Sequence, residues 1–229
     1  VSARTTPNLQ GLVDRSAIGD VSTRIGTFRQ SMTAAYLTMG AGTRSVVPEV
    51  DKGVALNPGE VHGGVPASEL VHRRTGGAVD GIAYIPVGAT MQANADSPFD
   101  SRPGTLGQAL ADADIRRAVI ANADRQFGVP RFRQAGLAAM DTTGQVDGGM
   151  VSAELLRVDD RAAYGLAVDP EVFMSVFDNA WANDDVVFAE LSDLERAEAA
   201  REMATPDQGD RQYARALRAG DDLVSQMLE

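Results

Sequence analysis

Helix-like and strand-like patterns alternate at the start of the chain. Residues 6–13 open with a Thr-Pro pair, which suits the N-cap and first position of a helix, and their leucines and valine recur at helical spacing. We expect this helix to end near Gly19 and a short strand to cover 21–25. Ser31 or Thr33 then caps a second helix. Strand, loop and helix in this order predict the first α/β unit.

The regular pattern weakens between residues 46 and 102. Prolines and glycine pairs break this stretch into short pieces, and we interpret it as an excursion from the sheet. A short helix is predicted at 66–74. A longer one is predicted at 82–95, where Pro86 must delay its start or kink it.

Regularity returns at Pro103. This proline suits the first turn of a helix, which leads into an apolar strand at 117–121. Segments 137–140 and 149–151 are predicted to form two strands of a ribbon, because the intervening residues 141–144 carry the Asp and Gly that turns favour.

The last part of the chain repeats the alternation. A helix begins at the Asp-Pro pair 169–170, and a strand at 185–190 follows it. Two more helices end the chain, and the last one, from about Asp207, is amphipathic and is predicted to pack on the sheet. The alternation indicates a three-layer α/β sandwich with a mainly parallel sheet. We treat 1–229 as a single domain that includes the irregular excursion.

The charge of the chain limits its partners. Its 229 residues carry a net charge of −11 and a pI near 4.6, which disfavours nucleic acid, and no basic stripe is visible along the sequence. The apolar runs are far shorter than the about 20 residues of a membrane-spanning helix, so we expect no direct membrane insertion. The absence of cysteine excludes disulfides and thiolate catalysis. No partner or oligomeric state is indicated.

Ionisable residues do not fall into a metal-binding motif. His62 and His72 lie in the irregular stretch, without an acidic pair at helical spacing, and are interpreted as structural or surface residues. Asp141, Asp147 and Asp159 are interpreted as solvated loop carboxylates, because no alternating Asp/Asn loop with a closing Glu is present. We therefore expect no metal and no other cofactor in this chain.

Two hydroxyls at the start of the second helix are candidates for chemistry. Ser31 and Thr33 lie where a helix N-terminus offers backbone amides and a positive dipole to an anion. Each is either a nucleophile or phosphate position, or an ordinary helix cap. The glycines at 40–44 follow this helix, whereas a phosphate-binding loop follows a strand, so a helix C-cap is the preferred interpretation.

The order of the motifs resembles the alkaline phosphatase superfamily. Residues 6–12, TPNLQGL, and the helix headed by Ser31 that ends in LTMG at 37–40 are similar to the opening of those domains. The helix from Thr105 and the strand at 117–120 are similar to a later helix and strand of that superfamily.

A closer resemblance covers nearly the whole chain. Segments 36–44, 94–107, 122–124 and 139–149 are similar to the extracytoplasmic domain of uncharacterised membrane proteins from high-GC Gram-positive bacteria. This resemblance implies an extracytoplasmic location, with attachment to the membrane through segments outside this chain. Residues 1–4 do not have the character of a signal peptide.

The resemblance implies a specific catalytic arrangement, which this chain matches only in part. Ser31, and less closely Thr33, occupies the nucleophile position, although neither lies in the Thr-x-Pro or Cys-x-Pro context of the superfamily. The superfamily's first aspartate ligand precedes the TPNL helix, and its Asp-His-Gly segment follows a helix like the last one here, so neither has a counterpart. Either flanking sequence supplies ligands for a divalent metal such as zinc, or the fold has been kept and the chemistry lost.

Three functions are compatible with these patterns. The preferred one is a non-catalytic extracytoplasmic domain of a membrane-anchored cell-envelope protein. The alternative is a metal-dependent phosphoryl or sulfuryl ester hydrolase or transferase whose metal ligands lie outside this chain. The third is a secreted ligand-binding module.

Overall fold

The computed structural model describes residues 2–17, 31–48 and 54–229. The described helices are α1 Pro7–Val13, α2 Met32–Ala41, α3 Ala67–Thr75, α4 Val87–Ala95, α5 Thr105–Asp112, α6 Gly136–Ala139, α7 Pro170–Asn183, α8 Ser192–Ala200 and α9 Pro206–Met227. The described strands are β1 Ala55–Leu56, β2 Val61–His62, β3 Val65–Pro66, β4 Ile82–Tyr84, β5 Arg117–Ile120, β6 Gln145–Val146, β7 Gly148–Met150, β8 Leu156–Val158, β9 Leu166–Val168 and β10 Val186–Ala189. Gly19 and the predicted strand at 21–25 lie outside the described residues.

A parallel sheet of three strands lies in the middle of the fold, in the order β10-β5-β7. The central strand β5 is buried along its whole length, as its apolar sequence predicts for a parallel strand covered on both faces. Val119 belongs to one apolar cluster, whereas Ala118 and Ile120 belong to another. Since alternate side chains of a strand point to opposite faces, the two clusters lie on the two sides of this sheet.

Helices cover both faces of the parallel sheet. On the first face lie α2 and α6, whose Leu37 and Leu137 pack with Val119. On the second face α7 contacts all three strands and buries Phe173. The helix α9 packs mainly against α8, α1 and α7. Its Leu223 joins the apolar core of that face together with Ala118 and Ile120 of β5. The chain therefore has a mixed α/β fold.

The other described sheets are antiparallel. Their orders are β1-β4-β6, β2-β3 and β8-β9, so parallel pairing is confined to three strands among the described residues and the expected mainly parallel sheet is small. The excursion at 46–102 forms most of these pieces. Its short helix is present as α3, and Pro86 separates the strand β4 from the helix α4, so only the second part of the predicted helix at 82–95 is helical.

The predicted ribbon strand at 137–140 was wrong, because these residues belong to the short helix α6 and its C-cap. Four apolar residues in a row do not distinguish a buried strand from a buried helical turn. Gly40 of α2 approaches the carbonyls of α6, and Gly107 of α5 approaches the carbonyls of Ala139 and Met140. The absence of a side chain at these glycines lets two helices pack on this turn.

Helix caps position the elements that matter for the site. The hydroxyl of Ser31 accepts a 3.4 Å hydrogen bond from the Ala34 amide, so Ser31 is the N-cap of α2. Thr6 is the N-cap residue of α1, but its side chain makes no capping bond, and the carboxylate of Asp221 in α9 accepts a bond from the Leu9 amide instead. No helix in the described part of the chain is long and apolar enough to cross a membrane.

Candidate functional site

The strand order places a candidate site at the carboxyl ends of the parallel strands. The chain passes from β5 to β7 on one side and later to β10 on the other, so the order reverses at β5. In open α/β sheets, ligands bind outside the carboxyl ends of the strands at such a reversal. The polar residues there form the carboxyl-edge cluster: Tyr36, Asn122, Asp124, Glu190 and Ser192.

Glu190 follows β10 and accepts two short hydrogen bonds. The hydroxyl of Tyr36 donates to Oε1 at 2.6 Å, and that of Ser192 donates to Oε2 at 2.6 Å. Desolvation raises the pKa of Glu190, and the charge of Glu195 adds to this, although the two hydroxyls and Arg196 act in the opposite direction. The carboxyl group of Glu190 therefore holds its proton at a higher pH than an exposed glutamate.

Tyr36 is the partner that α2 contributes to the cluster. Desolvation raises the pKa of this phenol well above its usual value, and the charge and hydrogen bond of Glu190 raise it further. A phenol with a raised pKa stays protonated and acts only as a hydrogen-bond donor to Glu190. This contact joins α2 to the carboxyl end of β10.

Asn122 and Ser192 connect the three strand ends. The amide group of Asn122 donates to the carbonyls of Val151 and Ser152 after β7, each at 2.9 Å. The backbone amide of Asn122 donates to the Ser192 hydroxyl at 3.0 Å, after β10. These bonds satisfy buried groups and fix the spacing of the strand ends, which is a structural role.

Asp124 is fully buried and all its contacts are internal. Its Oδ1 accepts from the backbone amides of Arg131 and Phe132, at 2.8 and 2.9 Å, and its Oδ2 accepts from Nε of Arg133 at 2.8 Å. Arg133 is also fully buried and donates from Nη1 to both carboxylate oxygens of Glu60 at 2.8 Å. The excursion is thereby tied to the loop after β5.

Further arginines surround the cluster. Arg196 donates from Nη1 to the carbonyl of Asn122 at 2.5 Å and from Nη2 to the carboxylate of Asp193. Arg125 pairs with Glu195 at 3.2 Å and lies over the ring of Phe132. Buried atoms without a hydrogen-bond partner concentrate here: Arg125 Nε, Arg133 Nη2, Gln134 Oε1, Glu195 Oε2 and Arg196 Nε.

The residues singled out in the sequence are only partly brought together. Ser31 and Thr33 lie at the start of α2, one turn from Tyr36, so the helix that carries them contacts the carboxyl edge. His62 lies exposed on β2, and His72 lies exposed on α3, where its Nδ1 is 3.3 Å from the carbonyl oxygen of Gly77.

Several carboxylates interpreted as solvated have defined partners instead. Asp147 binds Nε of Arg117 at 2.7 Å, and although desolvation raises its pKa, the hydrogen bonds and charge of Arg117 lower it overall. Asp141 accepts bonds from the amides of Thr143 and Gln145 in the turn. Composition and spacing gave no signal for the pair of Asp147 and Arg117, because the two residues are 30 positions apart, whereas Asp141 is bound within its own turn.

The donor set does not fit a divalent metal. Within the described ranges, no group of three or more His, Asp or Glu side chains is arranged to hold a metal ion. The nearest acidic candidate at the carboxyl edge, Asp124, already directs both oxygens at amides and at Arg133. The described residues therefore do not by themselves form the metal site that the resemblance implies.

Sequence reasoning missed Glu190, Ser192 and Arg133 as site residues. Glu190 was assigned only to the end of a predicted strand. A polar residue directly after a buried parallel strand is the signal that identifies it, because such residues meet at one sheet edge.

No protein-family model matches the chain, and no curated protein or solved structure is significantly similar to it.

Proposed function

We propose that this chain is a non-catalytic, alkaline-phosphatase-like α/β domain, which a membrane-anchored cell-envelope protein carries on the extracytoplasmic side. One observation carries the non-catalytic part of the proposal. The hydroxyls and carboxylates at the carboxyl edge, where this class of fold places its chemistry, are engaged in internal bonds between the strand ends.

The candidate nucleophile lacks an activating group. A serine hydroxyl attacks at neutral pH only when a base or a metal activates it. The hydroxyl of Ser31 accepts a capping bond from its own helix, while His62 and His72 lie on β2 and α3. Asp124 is held by Arg133 and by two backbone amides, and both carboxylate oxygens of Glu190 already accept hydrogen bonds from the Tyr36 and Ser192 hydroxyls.

The architecture supports the superfamily part of the proposal. Helices cover both faces of the parallel sheet, and α2, which is the counterpart of the nucleophile-bearing helix, contacts the carboxyl edge through Tyr36. Two of the segments that carry the resemblance, 36–44 and 122–124, contain residues that lie in or beside this edge. The extracytoplasmic location rests on the resemblance alone.

Hydrolysis assays test the catalytic part. The substrates are p-nitrophenyl phosphate and p-nitrophenyl sulfate, with added zinc, magnesium, manganese or calcium. We expect no turnover above background by the wild type, Ser31→Ala or His62→Ala. Turnover that depends on both a metal and Ser31 would overturn the proposal and establish a hydrolase.

The location has a separate test. Because the chain contains no cysteine, Ala113→Cys introduces a unique thiol at an exposed position after α5. In intact cells that produce the full-length protein, a membrane-impermeant maleimide should label this thiol without lysis. Labelling that requires lysis would place the domain in the cytoplasm.

A hydrolase or transferase is the second candidate, favoured by the position of Ser31. This residue begins a ten-residue helix that reaches the carboxyl edge of the sheet, and a helix N-terminus binds phosphate groups. Calorimetry with zinc and manganese tests whether this chain itself contributes to a metal site. We expect no micromolar binding, and micromolar binding that is lost in Ser31→Ala or Asp124→Ala would overturn the non-catalytic proposal.

A further inference from the structure

A cleft of about 430 Å³ lies between the β8-β9 hairpin, α8 and α9. Its volume falls in the range of small-molecule sites. Small and aliphatic side chains from these three elements form its floor: Ala163, Leu166, Val168, Ala197, Ala216 and Leu223. The floor offers an apolar surface for a short aliphatic group.

One amide oxygen beside this cleft has no hydrogen-bond partner in the described part of the chain. Gln212, on α9, lines the cleft, and its Oε1 is buried. A buried amide oxygen without a donor is energetically unfavourable. A ligand that donates an N–H group to this oxygen would remove that penalty.

An arginine at the rim is available for an anion. Arg218, two turns after Arg211 on the same face of α9, makes no ion pair with any described residue. By contrast, Arg215 on this face is held by Asp159 at 2.9 Å. Desolvation raises the pKa of Asp159, but bonds from the Arg161 amide and Arg215 lower it overall, so this anchor stays ionised near neutral pH.

The arginine face was not visible along the sequence. Arg211, Arg215 and Arg218 are separated by uncharged residues, and their spacing of four and three places them on one helix face. In a chain with a net charge of −11, this face is a local exception beside the cleft. It favours an anionic ligand group over a cationic one.

We propose that this cleft binds an N-acylated aliphatic amino acid. The carboxylate of the ligand pairs with Arg218, its amide N–H donates to Oε1 of Gln212, and its aliphatic side chain covers the alanine and leucine floor. The site is independent of the carboxyl-edge cluster, so the presence or absence of ester hydrolysis does not affect it. Asp222 also lines the cleft, one turn after Arg218, and opposes the carboxylate.

Calorimetry or ligand-observed NMR with three probes tests each contact. N-acetylleucine contains all three groups, N-acetylleucinamide lacks the charge, and 4-methylpentanoate lacks the amide. We expect a Kd of about 1 mM for N-acetylleucine and at least about tenfold weaker binding of the other two, as loss of roughly 1.4 kcal/mol implies. Failure of N-acetylleucine to bind at 10 mM (about ten times that Kd), or equal binding of all three, would overturn the proposal.

Variants of the cleft assign the contacts. Arg218→Ala should remove the preference for N-acetylleucine over its amide, and Gln212→Leu should remove the preference over 4-methylpentanoate. Asp222→Asn should strengthen binding several-fold. Ala219→Phe, from a partly exposed position on the lining of the cleft, should abolish binding while the thermal unfolding temperature stays unchanged.

Arg102→Ala is the matched control, since Arg102 is an exposed arginine outside the lining of the cleft. It should bind all three probes as the wild type does. If Arg102→Ala weakens binding as much as Arg218→Ala, the attraction is a general charge effect and the proposed site is wrong. Binding by a folded Ala219→Phe variant with wild-type affinity would contradict it as well.

Discussion

The hydroxyl of Tyr36 donates a 2.6 Å hydrogen bond to the carboxylate of Glu190, which lies 154 residues later in the chain. This contact fastens the helix α2 to the carboxyl end of β10. The same carboxylate accepts from Ser192, which in turn accepts from the Asn122 amide at the end of β5. A continuous set of bonds thus links α2 to two neighbouring parallel strands.

The stability of the fold should therefore depend on the pH through Glu190. Its pKa is raised in the folded protein, so its contribution is complete below the unfolded value of about 4.3 and is lost as the pH rises through the folded value. Glu190→Gln resembles the protonated acid but does not ionise. We expect the free energy of unfolding of Glu190→Gln, relative to the wild type, to increase from pH 4 to pH 8.

Urea unfolding of both proteins at several pH values measures this difference in the free energy of unfolding. The contributions of the other titrating groups are the same in both proteins and cancel. Glu202→Gln is the control, because Glu202 is exposed. Its difference from the wild type should stay constant across the same range. A constant difference for Glu190→Gln would mean that Glu190 ionises normally in the folded protein.

The buried pair of Asp124 and Arg133 should show strong coupling. Both side chains are fully buried, so removal of Arg133 leaves Asp124 without a cation, and removal of Asp124 leaves Arg133 with Glu60 as its one paired carboxylate among the described residues. We expect Asp124→Asn and Arg133→Met each to lower the free energy of unfolding by about 3 kcal/mol. The double variant should be destabilised by about 2 kcal/mol less than the sum of the two single losses in the free energy of unfolding. Glu60 also lacks its arginine partner in that variant.

An exposed pair provides the reference cycle. Arg201 and Asp210 are 3.4 Å apart, and both are largely exposed. Their double-variant cycle should give a coupling below about 0.5 kcal/mol. Equal couplings in the two cycles would show that the Asp124 carboxylate is not isolated from water.

Local sequence signals predicted the elements better than their packing. The Asp-Pro start of α7 and the Ser31 cap of α2 were correct, because a cap depends on neighbours within a few residues. The cap of α1 was assigned to Thr6, whereas Asp221 supplies the hydrogen bond from 212 residues away. The contact of Tyr36 with Glu190 spans 154 residues, and no local pattern encodes it.

Gly40 offers the sharpest test of how α2 packs. A Cβ at this position would lie 2.5 Å from the Leu137 carbonyl oxygen and 3.0 Å from that of Ala138. Both neighbours are backbone atoms of α6, which cannot move without shifting α6 in the core. We expect Gly40→Ala to lower the free energy of unfolding by about 3 kcal/mol, despite the higher helix propensity of alanine.

The control is Gly11→Ala in α1, where a Cβ would meet no atom within 4 Å. At Gly11 the higher helix propensity of alanine is not offset by a steric clash. The free energy of unfolding should therefore rise by about 0.5–1 kcal/mol. Urea unfolding of the two variants at one pH gives both values. Because the substitution is the same, the difference in sign isolates the clash with α6. If Gly40→Ala is as stable as Gly11→Ala, then α2 does not approach the carbonyls of α6 as described, and its connection to the carboxyl edge must be different.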